Sequence, residues 1–154
     1  MKKNIRTIYY IAYGSNLNKE QMSHRCPGAK PVGTGKLGDT MLTFRNGVLT
    51  IEPREGSETP VAVWEIYPWN EASLDAYEGF PRFYRKERRD ILVDFQDGTQ
   101  RACPAFVYIM NGRRVPQPPT DYYYQTCLRG YQDFGFDAEP LRAAVRRAEA
   151  WDAE

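Results

Sequence analysis

One histidine, His24, and three scattered cysteines, Cys26, Cys103 and Cys127, leave little material for a metal centre. No CxxC pair exists, and His24 completes no familiar zinc spacing with the thiols. An odd number of widely spaced cysteines also argues against a disulfide framework and points to reduced thiols in a cytoplasmic protein. Charge of one sign is not in excess. Lys plus Arg number 21 and Asp plus Glu 20, so nothing calls for a phosphate backbone or any other nucleic-acid partner. No run approaches the roughly 20 apolar residues of a membrane span. The basic start MKKNIR is followed by a short, mixed apolar run without a small-residue cleavage site, which does not read as a signal peptide.

What is present suits one packed domain. The chain has 154 residues, 42% hydrophobic and 14% aromatic, enough for a core and too apolar for disorder. A single domain over 1–154 is expected, ordered over about 7–150, with the tail AEAWDAE frayed. Residues Thr7 to Tyr13 read as a strand. Asn18 can cap a short helix to about Arg25, with Gln21 in capping-box position and Cys26-Pro27-Gly28 ending it. Thr40–Arg45, Val48–Glu52 and Val61–Tyr67 are β-like runs, the first two joined by the hairpin signal Asn46-Gly47. Asn70 then reads as the cap of a helix from Glu71 to about Glu78, closed by Gly79. Strands follow at about Phe83–Phe95 and Arg101–Met110, turning at Asp97-Gly98. A helix from Asp121 carries the stripe Tyr124, Cys127, Leu128, Tyr131, and a last one near Asp137 carries Leu141, Ala144, Val145, Ala148. Strands and helices are mixed without βαβ alternation.

Two tempting signals are discounted. GTGKLG, Gly33 to Gly38, matches G-x-G-x-x-G, but a strand rather than a helix follows it, and Leu37 stands where a phosphate loop needs Ser or Thr. The run Arg85 to Arg89 reads as a solvated strand face.

Three stretches carry chemistry. In YGSNLN, Tyr13 to Asn18, a β-prone run ends in small residues. It is either a turn into a capped helix or a place where backbone N–H groups approach an anion or oxyanion closely. In LDAYEGFPRFY, Glu78 ends a helix, where the dipole disfavours its charge, among Tyr77, Phe80, Phe83 and Tyr84. It is either an exposed Glu beside a glycine cap or a carboxyl of raised pKa fit to shuttle protons. In PPTDYYYQTCLRG the aromatics suit core packing, while Tyr123 lies beside the stripe and can aim a hydroxyl into a cavity.

Together, and in this order, the three stretches resemble the γ-glutamylcyclotransferase family in its wide sense, over roughly Ile8 to Leu141. The resemblance implies a mixed α/β (α+β) fold, a small closed or nearly closed β-barrel with flanking helices and a site at one mouth. It implies a cofactor-independent enzyme that cyclises a γ-glutamyl amide to 5-oxoproline. Glu78 falls on the family's catalytic acid/base. The family's substrate loop falls on Tyr10, Ile11, Ala12, Tyr13, Gly14 and Ser15, with Asn16 beside them, and its late tyrosine falls on Tyr123. Tyr84 matches a further tyrosine near the site. No metal is implied, and the partner is a small γ-glutamyl substrate, with no nucleic acid or membrane; a homodimer is left open. YGSNL looks like the branch acting on γ-glutamyl amino acids, whereas the γ-glutamylamine branch has YGTL and the glutathione-specific branch YGSL. The segment GFPRF, which varies in the family, leaves the leaving-group pocket open. A non-catalytic binding module, or an amidase or acyltransferase using the same pocket, stays as an alternative.

Overall fold

The computed structural model describes residues 6–152. Five strands close into a barrel in the order β1-β3-β2-β4-β5, with helices outside it. β1 (Ile8–Ala12) pairs antiparallel with β3 (Val48–Ile66) and closes the barrel through a parallel contact with β5 (Gln100–Met110) at Tyr10↔Phe106. β2 (Lys30–Arg45) and β3 form a long hairpin whose turn, Asn46-Gly47, has φ of 55° and 79°, the pair of positive angles a type I′ turn requires. The expected hairpin of β4 (Tyr84–Phe95) with β5 is present, turning at Gly98 with φ 89°.

The Gly33 and Gly35 of GTGKLG lie inside β2 rather than on a nucleotide loop. A Cβ on Gly33 would stand 2.3 Å from Asp94 O, and one on Gly35 2.8 Å from Leu92 O. Both glycines therefore let β2 meet β4 where the barrel seals, at Gly33↔Phe95 and Thr34↔Asp94. β3 corrects the sequence reading of two separate runs. Val48–Glu52 and Val61–Tyr67 belong to one strand ending at Ile66, because pairing with β2 resumes at Glu58 on the far side of the polar stretch. Residues 54–57 fall out of that register, between Thr40↔Pro53 and Gly38↔Glu58.

Helix α1 (Lys19–Arg25) is capped as expected, with Asn18 Oδ1 accepting from the Gln21 N–H at 2.9 Å. The capping box does not close. The Asn18 N–H donates to Ser15 O, and the Gln21 side chain is taken by Arg25. Helix α2 starts earlier than its polar cap signal suggested, at Pro68, and runs to Glu78. Pro68 occupies the first position, where its missing N–H costs nothing, and Asn70 sits at the third, its Oδ1 accepting from the Tyr67 N–H at 2.9 Å. Gly79 ends the helix with φ 67° as expected.

Helix α3 (Asp121–Asp133) is capped by Thr120, and α4 (Glu139–Asp152) lies against β2, where Arg147 Nη2 donates to Leu42 O at 2.7 Å. The tail read as frayed from Ala148 is helical to Asp152; positions 153 and 154 lie outside the described residues, as does MKKNI. Ala148 is buried, which extends the apolar stripe of α4 onto the barrel and holds that turn in place. The core combines the barrel interior with Leu141, Ala144 and Ala148 of α4 and Cys127 and Tyr131 of α3. Among the described residues no helix is long and apolar enough to cross a membrane.

Candidate active site

β1 ends at Ala12, and Ser15–Leu17 form one 3-10 turn, with the Leu17 N–H donating to Gly14 O at 3.0 Å. Such a turn leaves its leading N–H groups, at Ser15 and Asn16, without partners inside the turn. Gly14, Ser15 and Asn16 line a cavity of about 260 Å³, the size of an amino-acid-like group. YGSNLN is a turn into a capped helix, and it presents close backbone to a cavity. A Cβ on Gly14 would stand 3.3 Å from Leu49 Cδ1 and 3.6 Å from the Tyr123 hydroxyl, so the missing side chain keeps this wall open.

The rest of the lining is largely aromatic and comes from distant elements: Tyr84 of β4, Tyr108 of β5 and Tyr123 of α3, with Tyr77 and Glu78 from the end of α2. Two tyrosines grip the backbone of Leu49. The Tyr84 hydroxyl donates to Leu49 O at 2.6 Å, and the Tyr123 hydroxyl accepts from the Leu49 N–H at 3.1 Å. Tyr13 donates to Tyr108 O at 2.7 Å. The protons of Tyr13 and Tyr84 are thus committed to backbone carbonyls, whereas the Tyr10 and Tyr123 hydroxyls accept, from Asn16 Nδ2 and the Leu49 N–H. Burial pushes all four phenols above their usual pKa, so they stay neutral.

Glu78 sits at the α2 terminus, with Oε1 accepting from Asn16 Nδ2 at 3.3 Å. The same Nδ2 donates to the Tyr10 hydroxyl at 2.8 Å. Burial raises the carboxyl from 4.5 to about 7, against the opposing pull of Arg25 and of the Asn16 hydrogen bond. A group of that pKa is half ionised near neutrality and can both take and return a proton.

Of the residues expected from sequence, Glu78, Tyr10, Tyr13, Gly14, Ser15, Asn16, Tyr84 and Tyr123 line one cavity. Ile11 and Ala12 do not. Their side chains are buried, paired opposite Val63 and Ala62 in the barrel wall, so β1 delivers the loop rather than contacting the cavity with these two side chains. The sequence reading missed Leu49 and Tyr108. The signal for Tyr108 was its place two residues from both Phe106 and Met110 on one strand; for Leu49 the sequence offered none. The charge run also holds an exception. Lys86 is half-buried and pairs with Glu71 at 2.5 Å and Asp75 at 2.7 Å, tying β4 to α2.

Residues 10–126 match the model of the family described as gamma-glutamyl cyclotransferase, AIG2-like. The gamma-glutamylcyclotransferase of Bos taurus is 29% identical over 144 residues, covering 86% of this chain and 74% of that protein. The Homo sapiens protein of the same name gives the same figures. A solved structure titled gamma-glutamyl cyclotransferase superposes with a TM-score of 0.75 and 25% identity, over 94% of this chain and 88% of the other. YkqA from Bacillus subtilis shares the fold, with a TM-score of 0.72 and 21% identity, over 96% of this chain and 55% of its own. With the family match spanning the loop, Glu78 and Tyr123 over residues 10–126, the chain belongs to the gamma-glutamyl cyclotransferase, AIG2-like family.

Proposed function

We propose that this protein is a γ-glutamylcyclotransferase-type enzyme that converts a γ-glutamyl amide to 5-oxoproline and the free amine, with Glu78 as acid/base. The observation that carries the reading is a buried carboxyl, pushed up to about 7, on the wall of a small cavity and hydrogen-bonded to Asn16 of the Gly14–Asn16 turn. The nucleophile is the α-amino group of the substrate. Folding the glutamyl chain inside the cavity brings that amine to the γ-carbonyl, and such orientation supplies a large part of a cyclisation's rate.

Proton traffic passes through one group. Ionised Glu78 takes a proton from the α-ammonium, and the freed amine attacks the γ-carbonyl carbon. The developing oxyanion draws on the backbone N–H groups at the Gly14–Asn16 turn. Protonated Glu78 then gives its proton to the amide nitrogen, and the C–N bond breaks. The ring nitrogen, still carrying one proton too many, returns it to Glu78, which releases it to the departing amine or to solvent. Tyr10 and Tyr123, which line the cavity, are the hydroxyls that donate to the substrate's polar groups. The three buried free thiols fit a reducing, cytoplasmic location.

Because the reaction begins with ionised Glu78, kcat/KM should fall below an apparent pKa near 7, roughly tenfold per pH unit further down. A profile flat from pH 8 to pH 5 would remove Glu78 as the base. Tyr123→Phe deletes one donor and one acceptor. KM should rise about 3–10-fold with kcat less affected, the worth of one hydrogen bond, and an unchanged KM would take Tyr123 out of the substrate contacts. The deciding assay is product analysis on γ-glutamyl amino acids, γ-glutamyl-ε-lysine, glutathione and simple γ-glutamyl amines. 5-Oxoproline supports cyclisation, free glutamate means hydrolysis, and no product from a folded protein means a binding role.

A further inference from the structure

Arg25, in the last turn of α1, is not on the cavity wall, yet it is held on three sides. Its Nη2 donates to Gln21 Oε1 one turn earlier at 2.9 Å. Its guanidinium lies 3.4 Å from the centroid of the Tyr77 ring, the residue before Glu78 on α2. Its Nη1 donates to Asn16 Oδ1. A guanidinium has no acceptor, so this bond dictates which end of the Asn16 amide faces outward. The amide's NH2 end must then point inward, where its hydrogens meet the Tyr10 hydroxyl and Glu78 Oε1.

We infer that Arg25 is a positioning residue of this site: its fork fixes the Asn16 amide with a donor aimed at Glu78, and its charge is linked to that carboxyl by two hydrogen bonds through Asn16. The inference rests on the reading of Glu78 as the acid/base. Glu78 faces Tyr10 of β1, Tyr13 just beyond it, Tyr84 from β4, Tyr108 from β5 and Tyr123 from α3, all kept neutral by burial. Asp75, one turn back on α2, shares Lys86 with Glu71 and accepts from the Tyr108 hydroxyl at 2.6 Å. Against the desolvation that favours the protonated acid, Arg25 and the Asn16 bond are the opposing influences. They keep the carboxyl ionised for a larger fraction of the time near neutral pH.

The charge and the fork are separable. Arg25→Gln removes the charge, while Arg25→Lys keeps it and loses the fork. In Arg25→Gln the acid limb of kcat/KM should move up by about half a unit to one unit, and kcat should fall about tenfold. In Arg25→Lys the limb should stay within about 0.3 unit of wild type while kcat still falls severalfold. The titration of the Glu78 carboxyl, followed by 13C NMR in the folded protein and assigned by its disappearance in Glu78→Gln, needs no substrate. It should show the same upward shift in Arg25→Gln. If no γ-glutamyl amide is turned over but this titration shifts, the proposed reaction fails and the role of Arg25 at Glu78 stands. A titration unmoved by Arg25→Gln overturns the charge effect. Full kcat in Arg25→Lys overturns the fork, a decision available even if the glutamine variant does not fold.

Discussion

Glu78→Gln should lower kcat/KM by about 10²–10⁴-fold, the usual worth of a positioned acid/base, while making the protein more stable at pH 8. Glutamine keeps an Oε1 to accept from Asn16 and fills nearly the same volume, so the cavity survives. It cannot take a proton from an ammonium or return one to a leaving nitrogen. The stability change follows from the same burial that tunes the carboxyl. Glu78 holds its proton more tightly in the folded protein, at about 7, than at its ordinary 4.5. That linkage favours the folded state fully below about pH 4.5 and is lost as pH rises through about 7. Above pH 7 the fold carries an ionised, largely desolvated carboxylate, at a cost on the order of 2–3 kcal/mol. The neutral variant escapes it. Its Tm should exceed that of wild type by about 5–10 °C at pH 8, and the gap should close by pH 4. Retained turnover would show that another group moves the proton. A Tm gap independent of pH would show that charge burial is not its source.

Gly130→Ala should be a strongly damaging single-methyl change, although it lies outside the cavity. The 3-10 turn after YGSN is pressed directly against α3, and the contact is made at Gly130. A Cβ there would lie 2.6 Å from Leu17 Cβ, 2.7 Å from Asn18 N and 2.8 Å from Leu17 C. Two of these are backbone atoms of the segment that carries Ser15 and Asn16 into the cavity, so no side-chain rotation relieves the overlap. Either α3 or the turn must shift. We expect a loss of about 1–3 kcal/mol, or roughly 3–10 °C in Tm. KM should rise as well, because α3 also carries Tyr123, which accepts from the Leu49 N–H across the cavity. Gly38→Ala is the control. Nothing lies within 4 Å of a Cβ there, and its φ is ordinary, so its Tm should stay within about 2 °C of wild type. Equal Tm values for the two variants would mean that α3 and the turn are not in rigid contact.

Much of this molecule is written locally. Asn46-Gly47 sets a hairpin because only such residues accept two positive φ angles in succession. Asn18 caps α1 and Gly79 ends α2 through hydrogen bonds and angles confined to a few residues. The strand that stops at small residues, and the Glu just before a terminal glycine, are visible in the same way, which is why Glu78 and the Tyr13–Asn16 loop can be picked out without coordinates. The extent of β3 could not be, because only the resumed pairing with β2 at Glu58 and beyond joins its two apolar runs into one strand.

Other features exist only once distant segments meet. Barrel closure depends on Tyr10 reaching Phe106, and its seam depends on Gly33 and Gly35 admitting the β4 backbone. Tyr108 and Leu49 become cavity walls, and Ile11 and Ala12 do not, because of the direction each strand takes around the barrel. Arg25 acquires its place through contacts with Asn16 and Tyr77, the latter far along the chain. The helix terminus pointed to a raised pKa for Glu78, but its largest cause is desolvation, a property of everything packed around the carboxyl rather than of its neighbours in sequence. Residue type and short-range angles placed the reactive groups in order along the chain; long-range packing set the distances and the dielectric that make them a site.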